Sequence, residues 1–454
     1  MKYKNFLALM LIVCSISSCT KYLDAVPDKS LTVPSSLQDL AAILNNNLLI
    51  AYSPALGEIG SDDYYMAYSR YQTYRPLIRE AYTWQKDITY GSLYGDWYSP
   101  YQAIYYSNVV LDQLKDIGSN QGNQGTYNEI KGRALFYRAF SYYNLAQIFT
   151  KPYDPQTAAT DLGLPLRLSS DINNKTVRST LLQTYNQIIQ DLQEAEDLLP
   201  LTVSSQTPYI PSKAADDAMQ ARVYLTMQNY DKALDYADSS ISLNNTLMDY
   251  NAIDSTQAIS FPYPSNEEVL FQSYEALYFY FTGSYTIVDS TLYDSYSSND
   301  LRKSLFFATK ASTGTHYFKG SYSGTYDLFC GLATDEMYLI QAECYARDGK
   351  VTASMDALNT LLAKRWKAGT FAPLVAANAD EAMSIVLAER RKELIFRGIR
   401  WSDLRRLNQD SRFAITLTRV LNGETYTLPP NDPRYVYPIP DNEIQLSGIQ
   451  QNTR

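Results

Sequence analysis

Residues 390–406 read RRKELIFRGIRWSDLRR: seven basic side chains, two acidic ones and a tryptophan in the middle. This segment constrains the fold more than any other. Leu394, Ile395, Phe396 and Trp401 are core material. Guanidinium groups next to a core need carboxylates once water is excluded. Laid on a helix, Glu389, Glu393 and Asp403 fall within reach of Arg390, Arg397, Arg400 and Arg406. The segment therefore predicts ion pairs packed over an apolar seam. A catalytic arginine would need a nucleophile or base beside it, and none is evident nearby.

Other segments extend the helical pattern. In residues 180–200, Tyr185, Ile188, Ile189, Leu192, Ala195 and Leu199 share one face. Thr180 and Gln183 have the spacing of a capping box, and Pro200 marks a stop. Residues 211–242 read as helix, break near Gln228 and Asn229, and helix, with Ser212 as the first cap. Counting from Ala221, Tyr224 is three on, Ala233 twelve on and Ala237 sixteen on, a tetratricopeptide-like rhythm in which small residues let two helices approach. Residues 98–114 with 132–149, and residues 338–366, repeat it loosely. The expected class is mainly α: a tetratricopeptide-like helical-repeat scaffold with long, tyrosine-rich insertions.

The insertions fall at about 52–97 and 250–330. The first holds Tyr64, Tyr65, Tyr68, Tyr71 and Tyr74; the second holds Tyr278, Tyr280, Tyr285, Tyr293, Tyr296, Tyr317, Tyr322 and Tyr326. The chain has 41 Tyr against 15 Phe and 4 Trp, an excess that suits a wet binding surface because each ring is apolar with a polar tip. Residues 267–274 are expected to include a short strand.

The N-terminus addresses export. Lys2 and Lys4 precede an apolar run over residues 6–14, which has the proportions of a signal-peptide core and is too short for a permanent span. Residues 16–19, ISSC, resemble a lipobox, which implies a signal peptide over residues 1–18 and lipidation of Cys19. Cleavage removes two of 39 basic residues and none of 48 acidic ones, leaving 37 against 48 and a net charge of −11. A body this acidic argues against nucleic acid. Cys330 and Cys344, which remain, are expected as free, buried thiols because a disulfide cannot span their separation along a helix.

Residues 389–407, ERRKELIFRGIRWSDLRRL, closely resemble the helix-turn-helix signature of the SusD/RagB family of nutrient-binding lipoproteins. Residues 19–30, 132–149, 337–347 and 437–452 resemble four further family signatures, in family order. Arg397 departs from the pattern, where an acidic residue before the glycine is common. The resemblance implies one SusD-like domain over residues 19–454, anchored in the outer membrane by lipid and facing the exterior. It implies that the protein binds oligosaccharide and delivers it to a SusC-like TonB-dependent transporter, without catalysis. Peptide capture, as in the RagB branch, is the first alternative and a diverged glycoside hydrolase the second. A repeat-based adaptor with no small ligand is the third. The family's glycan contacts come from aromatics in two variable regions. Here these are represented by Tyr64, Tyr65, Tyr68, Tyr71, Tyr74, Tyr285, Tyr293, Tyr296, Tyr317 and Tyr322.

The residues themselves offer little catalytic chemistry. His316 is the one histidine, too few for a histidine-based metal site, and no nucleophile motif accompanies it. No cofactor or metal is expected. Residues 61–63 (SDD) and 265–268 (SNEE) supply carboxylates that a hydrolase could use if a cleft set them apart correctly.

Overall fold

The computed structural model describes residues 34–46, 52–91, 95–202, 205–276 and 286–454. The leader, Cys19, Tyr278, Tyr280 and Tyr285 lie outside the described residues. As expected, helices dominate. After α1 (Leu37–Leu44) come α2 (Gly95–Ile117) and α3 (Gln124–Phe149), packed together, with α4 (Leu181–Glu196) against α3. Next are α5 (Lys213–Thr226) on α6 (Tyr230–Leu243), then α7 (Thr334–Arg347) on α8 (Val351–Leu362). α7 also packs on α6 and on α9 (Ala379–Glu393), and α10 (Arg400–Leu407) follows. Every sheet among the described residues has two strands.

Local signals set these boundaries. At α4 the Gln183 amide donates to Thr180 Oγ1 at 3.1 Å and the Thr180 amide donates to Gln183 Oε1 at 2.8 Å. Ser212 accepts the Ala215 amide at the start of α5. Gln228 takes φ 61° and breaks the chain between α5 and α6, where fully buried Ala233 and Ala237 allow close approach. Val269–Phe271 forms the short strand expected there. Cys330 and Cys344 are free and buried.

The tyrosine-rich insertion over residues 52–97 is largely structured among its described residues. It holds the helices Leu56–Gly60, Tyr68–Tyr71 and Pro76–Tyr82. The first is clamped by α10: a Cβ on Gly57 would stand 2.9 Å from Trp401 Cβ, and one on Gly60 2.8 Å from Trp401 Cζ3. Two glycines thus let the tryptophan lie on the backbone, a contact that composition conceals.

The arginine cluster is structural, with partners wider than its own segment. The chain breaks between α9 and α10 at Phe396 (φ 55°) and Gly398 (φ 68°). Asp403 pairs locally, with Arg390 and Arg406, each at 2.8 Å. Glu389 and Glu393, expected to serve arginines of the same segment, serve Arg302 instead, at 2.6 and 3.0 Å. Glu393 also takes Arg365 at 2.7 Å, and Arg365 reaches Glu268 at 2.9 Å. Arg406 holds Glu343 at 2.6 Å and Arg397 holds Asp335 at 3.0 Å. Arg405 has no carboxylate among these; it donates to the carbonyls of Ala146, Gln147 and Thr150 and so caps the C-terminal end of α3.

Candidate functional site

Asp62 and Asp63 begin the site. Arg400 Nε donates to Asp62 Oδ1 at 2.6 Å, and Arg391 Nε donates to Asp63 Oδ1 at 2.9 Å. Alternation along the next strand then turns Tyr64 inward and Tyr65 outward. Tyr64 and Tyr65 pair antiparallel with Ile287–Val288, Tyr65 opposite Ile287. The two tyrosine-rich regions therefore meet, though more than 200 residues separate them in sequence.

On the first region's surface, Tyr65 is 41% exposed and Tyr68 39%. Tyr68 stacks on half-buried Tyr71, with centroids 6.2 Å apart and an interplanar angle of 21°. Arg70 lies 4.8 Å over the Tyr74 ring and its Nε donates to the Tyr74 hydroxyl at 3.1 Å.

In the second region, Phe307–Thr309 and His316–Phe318 form a hairpin. Tyr293 lies flat on His316, with centroids 3.5 Å apart, and Lys303 Nζ sits 4.5 Å from the Tyr293 centroid. Partial burial and the Lys303 charge lower the His316 pKa, favouring the neutral ring. Tyr317 lines a cavity of about 440 Å³ with Tyr326, Thr256, Gln257, Lys319 and Thr325. Thr286, next to the strand that pairs with Tyr65, lines it too. Tyr326 is 74% exposed. Aromatic faces beside hydroxyl, amide and ammonium groups can stack on C–H surfaces and bond hydroxyls.

Three nominated tyrosines are core residues, which corrects the expectation for them. Tyr64 donates its hydroxyl to the Ile59 carbonyl at 2.8 Å, with Tyr82 5.6 Å away and Phe396 6.3 Å away between ring centroids. Tyr296 donates to the Lys392 carbonyl at 2.8 Å. Tyr322 donates to Glu268 Oε2 at 3.2 Å and shares a 2.6 Å hydrogen bond with the Tyr250 hydroxyl. An enclosed ring has no face for a ligand. A buried hydroxyl with a partner explains why tyrosine serves inside as well as outside.

Three carboxylates of the two acidic motifs are committed to arginines: Asp62 and Asp63 to Arg400 and Arg391, and Glu268 to Arg365. Sequence reasoning places Tyr326 in the second region without nominating it as a contact, and no local pattern marks Thr256 or Gln257. Other depressions lie among the described residues. One of about 720 Å³ lies over Lys151, Asp154, Gln228, Arg405 and Asn431, with Tyr435 as its one aromatic. One of about 410 Å³ runs along α2 beside Tyr98 and Tyr105.

Comparison with known proteins gives consistent results. A family model described as starch-binding and associating with the outer membrane matches residues 21–225, and the SusD family model matches residues 297–453. The chain is 26% identical over 369 residues to SusD-like protein P2 of Formosa agariphila, covering 67% of this chain and 70% of that protein. A SusD superfamily protein of Bacteroides thetaiotaomicron shares the fold with a TM-score of 0.73 at 22% identity, over 92% of this chain and 100% of that one. A putative sugar-binding protein of Bacteroides vulgatus has a TM-score of 0.73 at 20% identity, over 93% and 99% of the two chains.

Proposed function

From the premise that this chain belongs to the SusD/RagB family, we propose that it captures oligosaccharide or polysaccharide at the outer surface of the outer membrane and passes it to a SusC-like TonB-dependent transporter. Acylation of Cys19 anchors it. No helix among the described residues is long and apolar enough to cross a membrane, so the anchor would carry the attachment. Residues 19–454 act as one SusD-like unit whose helical pairs present the face to the transporter.

The observation that carries the reading is the junction of the two tyrosine regions. Exposed Tyr65, through its pairing with Ile287 beside Thr286, adjoins a cavity bordered by Tyr317 and Tyr326, and exposed Tyr68 lies three residues further along the first region. Sugar rings present C–H faces to such tyrosines and hydroxyls to Thr256, Gln257 and Lys319. Tyr71, Tyr74 and Tyr293 support this face; Tyr285 belongs to the same proposal from sequence alone.

Binding without turnover fits the commitment of Asp62, Asp63 and Glu268 to guanidinium partners, which leaves those acids poor candidates for acid–base work. The test is a panel of polysaccharides and peptides offered to the chain from Thr20 onward. Glycan binding without hydrolysis is the expected result. Peptide binding alone would move the protein to the peptide branch, and release of sugars would make it a hydrolase.

A further inference from the structure

Away from the tyrosine face, the C-terminal end of α4 meets the N-terminal part of α5 at three carboxylates. Glu196, Asp216 and Asp217 each bring one oxygen to within 4.8 Å of the others. Asp216 and Asp217 are fully buried. Among the described residues one ammonium faces them: Lys213 bonds Glu196 and stands 3.8 Å from Asp217 Oδ1. Its side chain keeps 21% of its surface in solvent, so it lies on the rim. Asp217 Oδ2 accepts the Ser239 hydroxyl at 2.7 Å, but Asp216 Oδ1 and Asp217 Oδ1 have no hydrogen-bond partner.

A fourth, uncharged side chain points to the same place. Gln220, fully buried, donates from Nε2 to Asp216 Oδ2 at 2.9 Å and to Glu196 Oε2 at 3.4 Å. Its own carbonyl oxygen, Oε1, has no partner. A half-turn of the amide exchanges its nitrogen and oxygen. The carbonyl then stands among the carboxylate oxygens, where a second acceptor is useful only to a cation. The set is all oxygen, with no imidazole or thiolate, which selects a hard divalent ion over zinc or copper.

We propose that Glu196, Asp216, Asp217 and Gln220 form a site for a hard divalent cation of the calcium type, and that Lys213 is the counter-charge the ion displaces. The ion would bridge α4 to α5. A bound ion stabilises the folded chain in proportion to its saturation.

The test uses the full chain, stripped with chelator and titrated with calcium chloride to the order of millimolar, the range of weaker extracellular sites. Calorimetry reads stoichiometry and thermal unfolding reads Tm. One ion per chain and a Tm rise of about 3 °C or more are expected. Lys213→Gln should bind about tenfold more tightly, because the competing ammonium is gone. Asp216→Asn should lose the rise, and Glu196→Gln, a change at the rim, serves the same purpose if Asp216→Asn does not fold. Absence of calcium binding in both the native chain and Lys213→Gln would overturn the proposal and leave Lys213 as the permanent partner. An equal Tm rise in native chain and Glu196→Gln would also overturn it.

Discussion

Asp62 and Arg400 form a two-point ion pair across 338 residues: Nε to Oδ1 at 2.6 Å and Nη2 to Oδ2 at 2.8 Å. The pair ties the start of the tyrosine segment to the first residue of α10. Burial alone would raise the Asp62 carboxyl pKa, but the Arg400 and Arg391 charges outweigh it and hold the group well below the usual carboxylate range. Arg400→Met should therefore destabilise the chain by about 2 kcal/mol, toward the low side for a broken buried pair because Arg391 still reaches Asp62. The loss should show in urea unfolding at neutral pH. It should shrink as acid protonates Asp62, because a depressed folded pKa contributes stability only while the carboxylate is ionised.

Glu58 predicts the opposite pH trend. It is buried, accepts the Ser61 hydroxyl at 2.9 Å and the Gly398 amide at 3.2 Å, and faces the Asp63 charge. Burial first, and Asp63 second, push its carboxyl up to about 8. A raised folded pKa means that the native state holds the proton longer than the unfolded one. The contribution of Glu58 to stability is thus full below its unfolded pKa and lost as pH rises toward about 8. Tm of the native chain should fall between pH 5 and pH 8 more steeply than Tm of Glu58→Gln. Parallel curves would contradict this.

Gly398 supplies the turn between α9 and α10. Its φ of 68° suits glycine, and a Cβ there would stand 3.0 Å from Cys330 Sγ. Gly398→Ala should cost about 1–2 kcal/mol through the left-handed backbone alone. Chemical denaturation measures it, and a neutral result would mean that the turn can relax.

How much of this is legible in sequence depends on how far apart the partners are. The Thr180–Gln183 capping box and the Ser212 cap are local, and both are found where the letters put them. Arg302 and Glu389, 87 residues apart, carry no local sign of each other. The helix-turn-helix is readable while most of its ion-pair partners, which lie outside the segment, are not. The tyrosines divide for a similar reason. Tyr64 and Tyr65 are adjacent, and only strand pairing and the Ile59 carbonyl decide which goes inside. Composition identifies the two regions; it cannot separate Tyr322, bonded to Glu268 in the core, from Tyr326 at the cavity.

That division makes a prediction of its own. Tyr322→Phe removes a hydroxyl shared with Tyr250 and Glu268 and should lower stability by about 1 kcal/mol while leaving ligand affinity unchanged. Thermal unfolding and a binding isotherm on the same sample separate the two effects.

The most direct test is affinity electrophoresis or calorimetry with the glycan bound best, comparing the native chain with Tyr317→Ala/Tyr326→Ala and with Tyr65→Ala/Tyr68→Ala. If the junction of the two regions is the capture face, each double variant should keep its Tm and lose about tenfold or more in affinity. Full affinity in both, with folding intact, would place the ligand elsewhere and contradict the assignment.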